Sequence, residues 1–246
     1  MNSNQNQHPT VFHVTHWKAG SQWLHRILRD IALDKIVAPQ LFETQFLDEP
    51  LVPGAIYPTV YVTKEQFESV RLPSNSRKFV VIRDLRDTLV SAYFSIRYSH
   101  AVIDKSLADW RQRLEAASLE DGLFLLMDEW LPPSAQIQES WVASGEDFIR
   151  YEDLLQNDIK ILEDALIHRC QIPISADRLR EIVLSNRFES ATGGRKPGEE
   201  NRMSHERKGI AGDWQNYFTS NIAKAFNTRY GDLLIAAGYD LTDSGA

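Results

Sequence analysis

The feature that most limits the fold of this chain is a short apolar run at residues 79–82, followed at once by Arg83. An uninterrupted run of this length is typical of a strand buried on both faces, as in a parallel sheet covered by helices. Strand-like runs also occur at residues 11–15 and 147–151, and each is followed by a helix-like segment. This alternation predicts an α/β fold with a central, mostly parallel sheet flanked by helices.

The predicted helices follow from apolar periodicity and from capping residues. After residues 11–15, a loop leads into a helix whose apolar stripe is Leu24, Ile27, Leu28 and Ile31. Asp84 is a possible N-cap for a helix that extends to about residue 98. Further helices are predicted after Tyr151, in residues 105–145 with a break at Pro132-Pro133, and in residues 222–237.

Length and composition fit a single folded domain. The 246 residues, 43% of them hydrophobic, are enough for one large core. We expect residues 1–10 to be a flexible N-terminus and residues 11–246 to form one domain. Within it, residues 188–212 carry five glycines and five Arg or Lys residues. A segment this long without clear periodicity is usually functional or mobile, so we expect a mobile basic loop.

Charge and cysteine content exclude several function classes. A formal net charge of −7 argues against nonspecific nucleic-acid binding, which requires a basic surface. The only cysteine, Cys170, excludes an internal disulfide and a cysteine-based zinc site. The polar N-terminus is unlike a secretory signal, and no apolar run has the length of a membrane span. We therefore expect a cytoplasmic protein without nucleic-acid or membrane partners.

Two strand–loop–helix junctions have the residues of an anion site. Lys18 and Gly20 lie in the loop after the first strand, where the N-terminus of the next helix offers free backbone N–H groups. The spacing differs from that of a P-loop. At the second junction, Arg83 follows the buried strand, and Ser91 lies eight residues further on. Each junction alone also fits a solvated helix start, but ligands of α/β sheets bind at the carboxyl ends of the strands, where both lie.

Four segments, in order along the chain, resemble the motifs of the cytosolic-type sulfotransferases. Residues 15–24 resemble the 5′-phosphosulfate loop of that family, and residues 79–93 look like its 3′-phosphate motif. Residues 150–154 are similar to its R-Y-E-D segment, and residues 207–219 to its C-terminal R-K-G-x-x-G-D-W signature. The resemblance implies a P-loop-NTPase-like sulfotransferase fold. It also implies transfer of a sulfuryl group from 3′-phosphoadenosine-5′-phosphosulfate (PAPS) to an acceptor hydroxyl, with adenosine 3′,5′-bisphosphate (PAP) as product.

The resemblance also implies roles for matching residues. Lys18 would contact the bridging oxygen of the phosphosulfate, and the 3′-phosphate would be bound by residues from two separate segments. The mobile basic loop would then lie over the donor site, while no metal is implied. The implied donor contacts are the loop residues Ala19, Gly20, Ser21 and Gln22, the adenine contacts Trp23, Tyr151 and Phe188, and the 3′-phosphate contacts Arg83, Ser91, Arg207, Lys208 and Gly209.

The catalytic base is where this chain departs from the family. The family usually has a histidine about twenty residues before the 3′-phosphate arginine, and no histidine lies between His25 and His100 here. Some related enzymes use a glutamate, for which Glu43 is the best match in position, with apolar neighbours that would raise its pKa. His16 is an alternative that would contact the sulfuryl group, and Tyr61 and His100 are weaker candidates.

Other functions stay open on the sequence alone. A noncatalytic module that binds PAPS or PAP would explain the missing histidine, whereas a small-molecule kinase would need the P-loop spacing and acidic metal ligands that the chain lacks. We expect the acceptor to be a small molecule or a carrier-bound metabolite of a bacterial enzyme, with the oligomeric state open. The acceptor would bind to residues 38–75 and 95–135, and the candidate lining residues in or next to these ranges are Phe42, Phe46, Tyr57, Tyr93, Phe94, Tyr98 and Phe124.

Overall fold

A computed structural model describes residues 8–39, 45–48, 50–101 and 105–241 of the chain. In these residues, four parallel strands form one sheet in the order β2–β1–β3–β4. The predicted α/β fold with a central parallel sheet is thereby confirmed. The strands are β1 (Thr10–Thr15), β2 (Ile56–Val60), β3 (Ser76–Ile82) and β4 (Ile149–Arg150).

Helices cover both faces of the sheet, and short 3₁₀ or π segments extend several of them. Two π-helical segments, Ser95–Ser99 and Glu163–Arg169, continue the fourth and eighth α-helices. The α-helices of the described residues are α1 (Ser21–Ile31), α2 (Gln45–Asp48), α3 (Lys64–Ser69), α4 (Leu85–Phe94), α5 (Lys105–Ala116), α6 (Leu119–Glu129), α7 (Leu131–Ala143), α8 (Tyr151–Leu162), α9 (Ala176–Ser185), α10 (Phe188–Ala191) and α11 (Ser220–Ala236).

Side-chain alternation along the strands divides the core into two layers. In β1, Phe12 faces a cluster that includes α4, α6, α7 and α11, whereas Val11 faces α1, α8 and α9. In β3, Val80 lies in the same layer as Phe12, and Phe79 lies in the same layer as Val11. Because successive side chains of a strand point to opposite faces, an apolar run such as 79–82 fills both layers at once.

The strand register brings three loops to one edge of the sheet. Thr15 at the end of β1 is opposite Val81, and Ile82 is opposite Arg150 of β4. The carboxyl ends of β1, β3 and β4 are therefore level with one another. The loops that contain Lys18 and Arg83, and the start of α8, consequently meet at this edge.

The sequence did not predict β2, for a reason that lies in Pro58. Proline lacks a backbone N–H and is confined to edge strands or bulges, so a run that contains it does not look like a strand. In the structure β2 is an edge strand of the described sheet, and among the named strands it pairs with β1 alone. The Pro58 carbonyl accepts a hydrogen bond of 2.6 Å from Nδ1 of the buried His13.

Helix boundaries differ from the predictions in two places. Residues 105–145 form three helices rather than one interrupted helix, and Pro132-Pro133 lies in the first turn of α7, where its missing N–H groups would have no intrahelical partner. The predicted strand at 147–151 is reduced to β4, with Ile149 buried and Phe148 half-buried. The predicted helices at 84–98 and 222–237 are confirmed within a few residues.

The flexible N-terminus and the mobile basic loop both stay predictions. Thr10 already belongs to β1 and residues 1–7 lie outside the described residues, so a flexible N-terminus stays a prediction. Residues 188–212 begin with α10 and continue as turns. No described helix has both the length and the apolar character needed to cross a membrane.

Candidate functional site

The loop between β1 and α1 has a constrained backbone. Lys18 has a φ of 66° and Gly20 a φ of 85°, both in the left-handed region. A Cβ atom on Gly20 would lie 2.6 Å from the Tyr151 ring, so both the backbone angle and the space require glycine there. The loop directs the Lys18 side chain and the N-terminus of α1 to the same edge of the sheet as Arg83.

Arg83 connects the first two junctions. Its Nη1 donates to the Lys18 carbonyl oxygen at 2.9 Å, and its guanidinium lies 4.6 Å from the centre of the Tyr151 ring. Burial, together with the positive charges of Arg83 and Arg207, lowers the pKa of Lys18 to about 8. Glu206 opposes this shift. The three cations therefore interact in one place although they come from three separate segments of the chain.

His16 is buried, and backbone groups occupy both of its ring nitrogens. Nδ1 donates to the Trp17 carbonyl at 3.0 Å, and Nε2 accepts from the Arg83 backbone N–H at 3.2 Å. Burial lowers the pKa of His16 to about 4, so the ring is neutral near pH 7. In this structure His16 fastens the β1 loop to the end of β3, and neither nitrogen is open to an acceptor hydroxyl.

The start of α4 is fixed by two aspartates. Asp84 caps the helix by accepting from the Arg86 N–H at 2.9 Å. The carboxylate of Asp87 lies 3.7 Å from Arg83 and accepts from the backbone N–H groups of Gly212 and Trp214, at 2.7 and 2.9 Å. The aspartate thus holds the end of the 188–212 segment against α4.

The predicted 3′-phosphate residues lie on two facing surfaces. Ser91 is half-buried on α4, three residues before Phe94, so the two share one face of the helix. The Arg207 guanidinium lies 4.4 Å from the centre of the Phe94 ring. Arg207 and Lys208 both donate to the Asp213 carboxylate, and Arg207 also pairs with Glu200. These two cations, which lie in residues 188–212 (hereafter the late segment), are therefore paired with carboxylates above the Ser91 face.

The predicted adenine contacts surround these groups. Tyr151 and Trp23 make an edge-to-face contact with ring centres 6.3 Å apart. Phe188 packs on Gly209, where a Cβ atom would lie 2.4 Å from the Phe188 ring and φ is 65°. Glycine at position 209 is thus required both by backbone angle and by the aromatic ring against it.

Sequence reasoning did not single out two aspartates that shape this site, Asp87 and Asp213, although both lie inside the quoted motifs. Asp87 accepts hydrogen bonds from residues more than a hundred positions away, and Asp213 accepts one from Lys208. Tyr61, one of the weaker base candidates, donates from its hydroxyl to Ser21 Oγ at 3.0 Å. The proposed base Glu43 lies outside the described residues and stays a prediction.

Comparison with known proteins gives the site its context. The family model described as "Sulfotransferase domain" matches residues 8–238. No curated protein matches the chain. Among solved structures, mouse sulfotransferase SULT7A1 complexed with PAP superposes with a TM-score of 0.66 at 19% identity, covering 94% of this chain and 86% of that one. Retinol dehydratase in complex with retinol and PAP gives a TM-score of 0.60 at 15% identity, covering 97% and 84%.

These identities are low, so the structural likeness supports the fold, while the family rests on the match over residues 8–238. The solved structures confirm the predicted fold, and the family match confirms the predicted family and enzyme class, that of a sulfotransferase. The chain therefore belongs to the sulfotransferase family.

Proposed function

We propose that this sulfotransferase binds PAPS along the carboxyl edge of its sheet, with the phosphosulfate at the β1 loop and the 3′-phosphate between α4 and residues 207–209. The observation that carries the proposal is that Arg83 donates to the Lys18 carbonyl oxygen at 2.9 Å, while burial and the positive charges of Arg83 and Arg207 lower the pKa of Lys18 to about 8. Cations that repel one another when the site is empty are stabilised by a polyanionic ligand. A protein with a net charge of −7 has to create such a site locally.

Lys18 is the residue we assign to the leaving group. Sulfuryl transfer is analogous to phosphoryl transfer, in which an in-line displacement builds negative charge on the leaving oxygen. An ammonium at the bridging oxygen, and the N–H groups at the N-terminus of α1, stabilise that charge more in the transition state than in the ground state. Gly20 and Ser21 begin this helix terminus, and Ala19 and Gln22 flank it.

The 3′-phosphate is assigned to Arg83, Ser91, Arg207, Lys208 and Gly209. Arg207 and Lys208 are paired with Asp213 in this structure, and Arg207 also with Glu200. Although burial opposes the shift, hydrogen bonds from Lys208 and Arg207 lower the pKa of Asp213, so this carboxylate stays charged. We infer that Asp213 holds both cations in position for a phosphate, since each has further donors to offer.

The adenine is assigned to Trp23, Tyr151 and Phe188. Trp23 and Tyr151 are half-buried and in edge-to-face contact, and Phe188 is fixed by Gly209, which neighbours the two phosphate-binding cations. Aromatic faces of this kind offer a large apolar contact at a low cost in conformational entropy. Residues 188–212 would then contribute to both the adenine site, through Phe188, and the 3′-phosphate site, through residues 207–209.

The acceptor is proposed to be a hydroxyl of a small molecule or of a carrier-bound metabolite. Retinol dehydratase, a structural relative, is solved in complex with retinol. Of the candidate lining residues, Phe46, Tyr57, Tyr93 and Phe94 are buried in the core, which leaves the half-buried Tyr98 and Phe124 as the better candidates. Phe42 lies outside the described residues. A cytoplasmic location and a bacterial origin stay predictions.

Donor selectivity tests the proposed function. Purified protein is incubated with PAPS or with ATP, with 2-naphthol as a probe acceptor or with water alone, and nucleotide products are separated by chromatography. We expect PAP to form from PAPS, and no ADP to form from ATP. Turnover of ATP, or binding of PAP with no PAP formed from PAPS under any condition, would contradict the proposal in favour of a kinase or a noncatalytic module.

A further inference from the structure

We propose that Tyr61 is a positioning residue for sulfuryl transfer, because it orients the Ser21 hydroxyl at the start of α1 so that this hydroxyl donates to the 5′-phosphosulfate. This inference rests on the proposed function, since it needs the phosphosulfate to lie at the β1 loop. The observations that carry it are the hydrogen bond between the two hydroxyls, the ring contact that fixes Tyr61, and the burial of Ser21.

Tyr61 lies at a strand end that the four family-like motifs do not include. It directly follows β2, whose last residue, Val60, is opposite Val14 of β1. The carboxyl ends of β1 and β2 are therefore level with each other. The Tyr61 ring stacks on Trp17, which precedes Lys18 in the β1 loop, with ring centres 4.9 Å apart and an angle of 25° between the planes. This contact fixes the tyrosine against the loop.

The two hydroxyls leave one hydrogen without an acceptor. Tyr61 donates to Ser21 Oγ at 3.0 Å, and within the described part of the chain neither hydroxyl has a further hydrogen-bond partner. A hydroxyl carries a single hydrogen, so the hydrogen of Ser21 has to point away from Tyr61. Ser21 is only 5% exposed, and a buried donor without an acceptor is costly. A ligand oxygen at the start of α1 would supply that acceptor.

Ser21 is also kept from capping its own helix. Serine side chains at a helix start commonly accept from the backbone N–H groups of the first turn. The N-cap of α1 is Gly20, and the helix has no side-chain cap. The N–H groups at this helix start are therefore not used by a side chain and are available to an anion. The bond to Tyr61 thus leaves both the Ser21 hydroxyl and the helix terminus to the ligand.

The Tyr61 hydroxyl is suited to donate a hydrogen bond rather than to act as a base. Burial raises the pKa of Tyr61, while the hydrogen bond with Ser21 opposes this shift. The phenol therefore keeps its proton at pH 7 and donates to Ser21. This favours a positioning role over the place of Tyr61 among the candidate bases.

The oriented hydroxyl fits the chemistry of the transfer. Negative charge builds on the oxygen that leaves with the 5′-phosphate. A donor that already points at this phosphate stabilises the charge without reorganisation at the moment of reaction, together with Lys18 and the α1 terminus. Both hydroxyls keep their hydrogens throughout, so Tyr61 acts through Ser21 and takes no part in the proton transfer.

The first test separates this role from a general effect on the fold. Affinities for PAP and for adenosine 3′-monophosphate, which lacks the 5′-phosphate, are measured by calorimetry in wild type, Tyr61→Phe and Tyr230→Phe. Tyr230 is the matched control, because its hydroxyl donates to the Met127 carbonyl at 3.0 Å. We expect Tyr61→Phe, which retains the ring on Trp17, to weaken PAP binding about 5-fold and to leave binding of adenosine 3′-monophosphate unchanged.

Two outcomes of this titration contradict the inference. One is an equal loss of affinity for both nucleotides in Tyr61→Phe, and the other is a PAP affinity equal to that of Tyr230→Phe. In both cases the proposed function stands as long as wild type binds PAP. If wild type does not bind PAP, the proposed function itself has failed.

The second test asks whether Tyr61 acts through Ser21. PAP formation from PAPS, with 2-naphthol or water as acceptor, is followed in wild type, Tyr61→Phe, Ser21→Ala and the double variant. We expect turnover to be about 10-fold lower in each single variant and no lower in the double variant than in Ser21→Ala, because residues that act as one unit are not additive. Losses that multiply in the double variant would overturn the inference. So would a loss in Tyr61→Phe that Ser21→Ala does not share, which would assign the proton transfer to Tyr61 itself.

Discussion

Lys18 lies where backbone constraint and electrostatic repulsion meet. It has a φ of 66°, its carbonyl binds Arg83, and its ammonium is repelled by Arg83 and Arg207. Backbone strain and unfavourable charge are tolerated when the surrounding structure holds them in place, and they occur most often at functional sites. The residue therefore combines two marks of a binding site that neither the sequence nor the fold would show alone.

The lowered pKa of Lys18 predicts a pH dependence of donor binding. With a pKa of about 8 in the free enzyme, Lys18 is charged at pH 7 and loses its proton as the pH rises through 8. The charged form binds the anion better, so we expect PAP affinity to fall between pH 7 and pH 9. Calorimetric titration of wild type and Lys18→Met across this range measures it. The variant should bind more weakly at pH 7 and show a flatter profile; an equal decline in both would mean that another group titrates.

Gly209 should not tolerate a side chain. Gly209→Ala should weaken PAP binding and lower stability by about 1–3 kcal/mol, because alanine is strained at a φ of 65° and its Cβ would overlap the Phe188 ring. Gly193→Ala is the matched control, since Gly193 has a φ of 69° but no atom within 4 Å of a Cβ. Urea unfolding and PAP titration of both variants separate the clash from the backbone cost. Equal losses of stability and of PAP affinity in the two variants would show that the Phe188 ring moves aside and that its contact with Gly209 does not support PAP binding.

At the scale of elements, α4 and the late segment depend on each other. Asp87 receives the N–H groups of Gly212 and Trp214, and Arg86 lies 4.1 Å from the centre of the Trp214 ring. These contacts set where Arg207 and Lys208 lie relative to Ser91. The 3′-phosphate site is thus assembled by packing between α4 and residues 207–214, which are far apart in sequence.

Asp87→Asn tests this connection. An amide would direct its NH₂ at one of the two backbone donors, and the buried Arg83 would lose a nearby negative charge. We expect a loss of about 3–5 kcal/mol in the free energy of unfolding and a weaker affinity for PAP. Urea unfolding and calorimetry measure the two, with Asp109→Asn on the exposed side of α5 as control. Unchanged PAP affinity in a destabilised Asp87→Asn would show that the late segment is positioned without this link.

The sequence predicted those elements whose signals are local. The run at 79–82, the stripe of α1 and the cap at Asp84 each depend on neighbouring residues, and the structure has all three. Strand β2 was missed because the edge position that makes Pro58 acceptable is a property of the sheet. The mobility of residues 188–212 also stays a prediction. Their internal hydrogen bonds, such as those of Arg195, describe the conformation of the loop and not its motion.

At the scale of the whole molecule, an acidic protein brings three cations, Lys18, Arg83 and Arg207, together at one edge of its sheet. The four family-like motifs indicated which residues meet there, because the carboxyl ends of parallel strands converge. They did not indicate that Asp213 and Glu200 pair with Arg207, or that Asp213 also pairs with Lys208. Those relations arise from side-chain contacts across the fold, for which a single sequence has no local signal.

The most direct test of the account is a calorimetric titration with PAP at pH 7, compared with AMP and with Arg83→Ala; Arg178→Ala, an exposed arginine on α9 paired with Glu181, is the control. We expect wild type and Arg178→Ala to bind PAP with similar affinity, and AMP to bind far more weakly because it lacks the 3′-phosphate. Arg83→Ala, if its thermal unfolding shows that it is folded, should lose PAP binding. Equal binding of AMP and PAP, or no binding of PAP to wild type, would contradict the assignment of this edge of the sheet as the donor site.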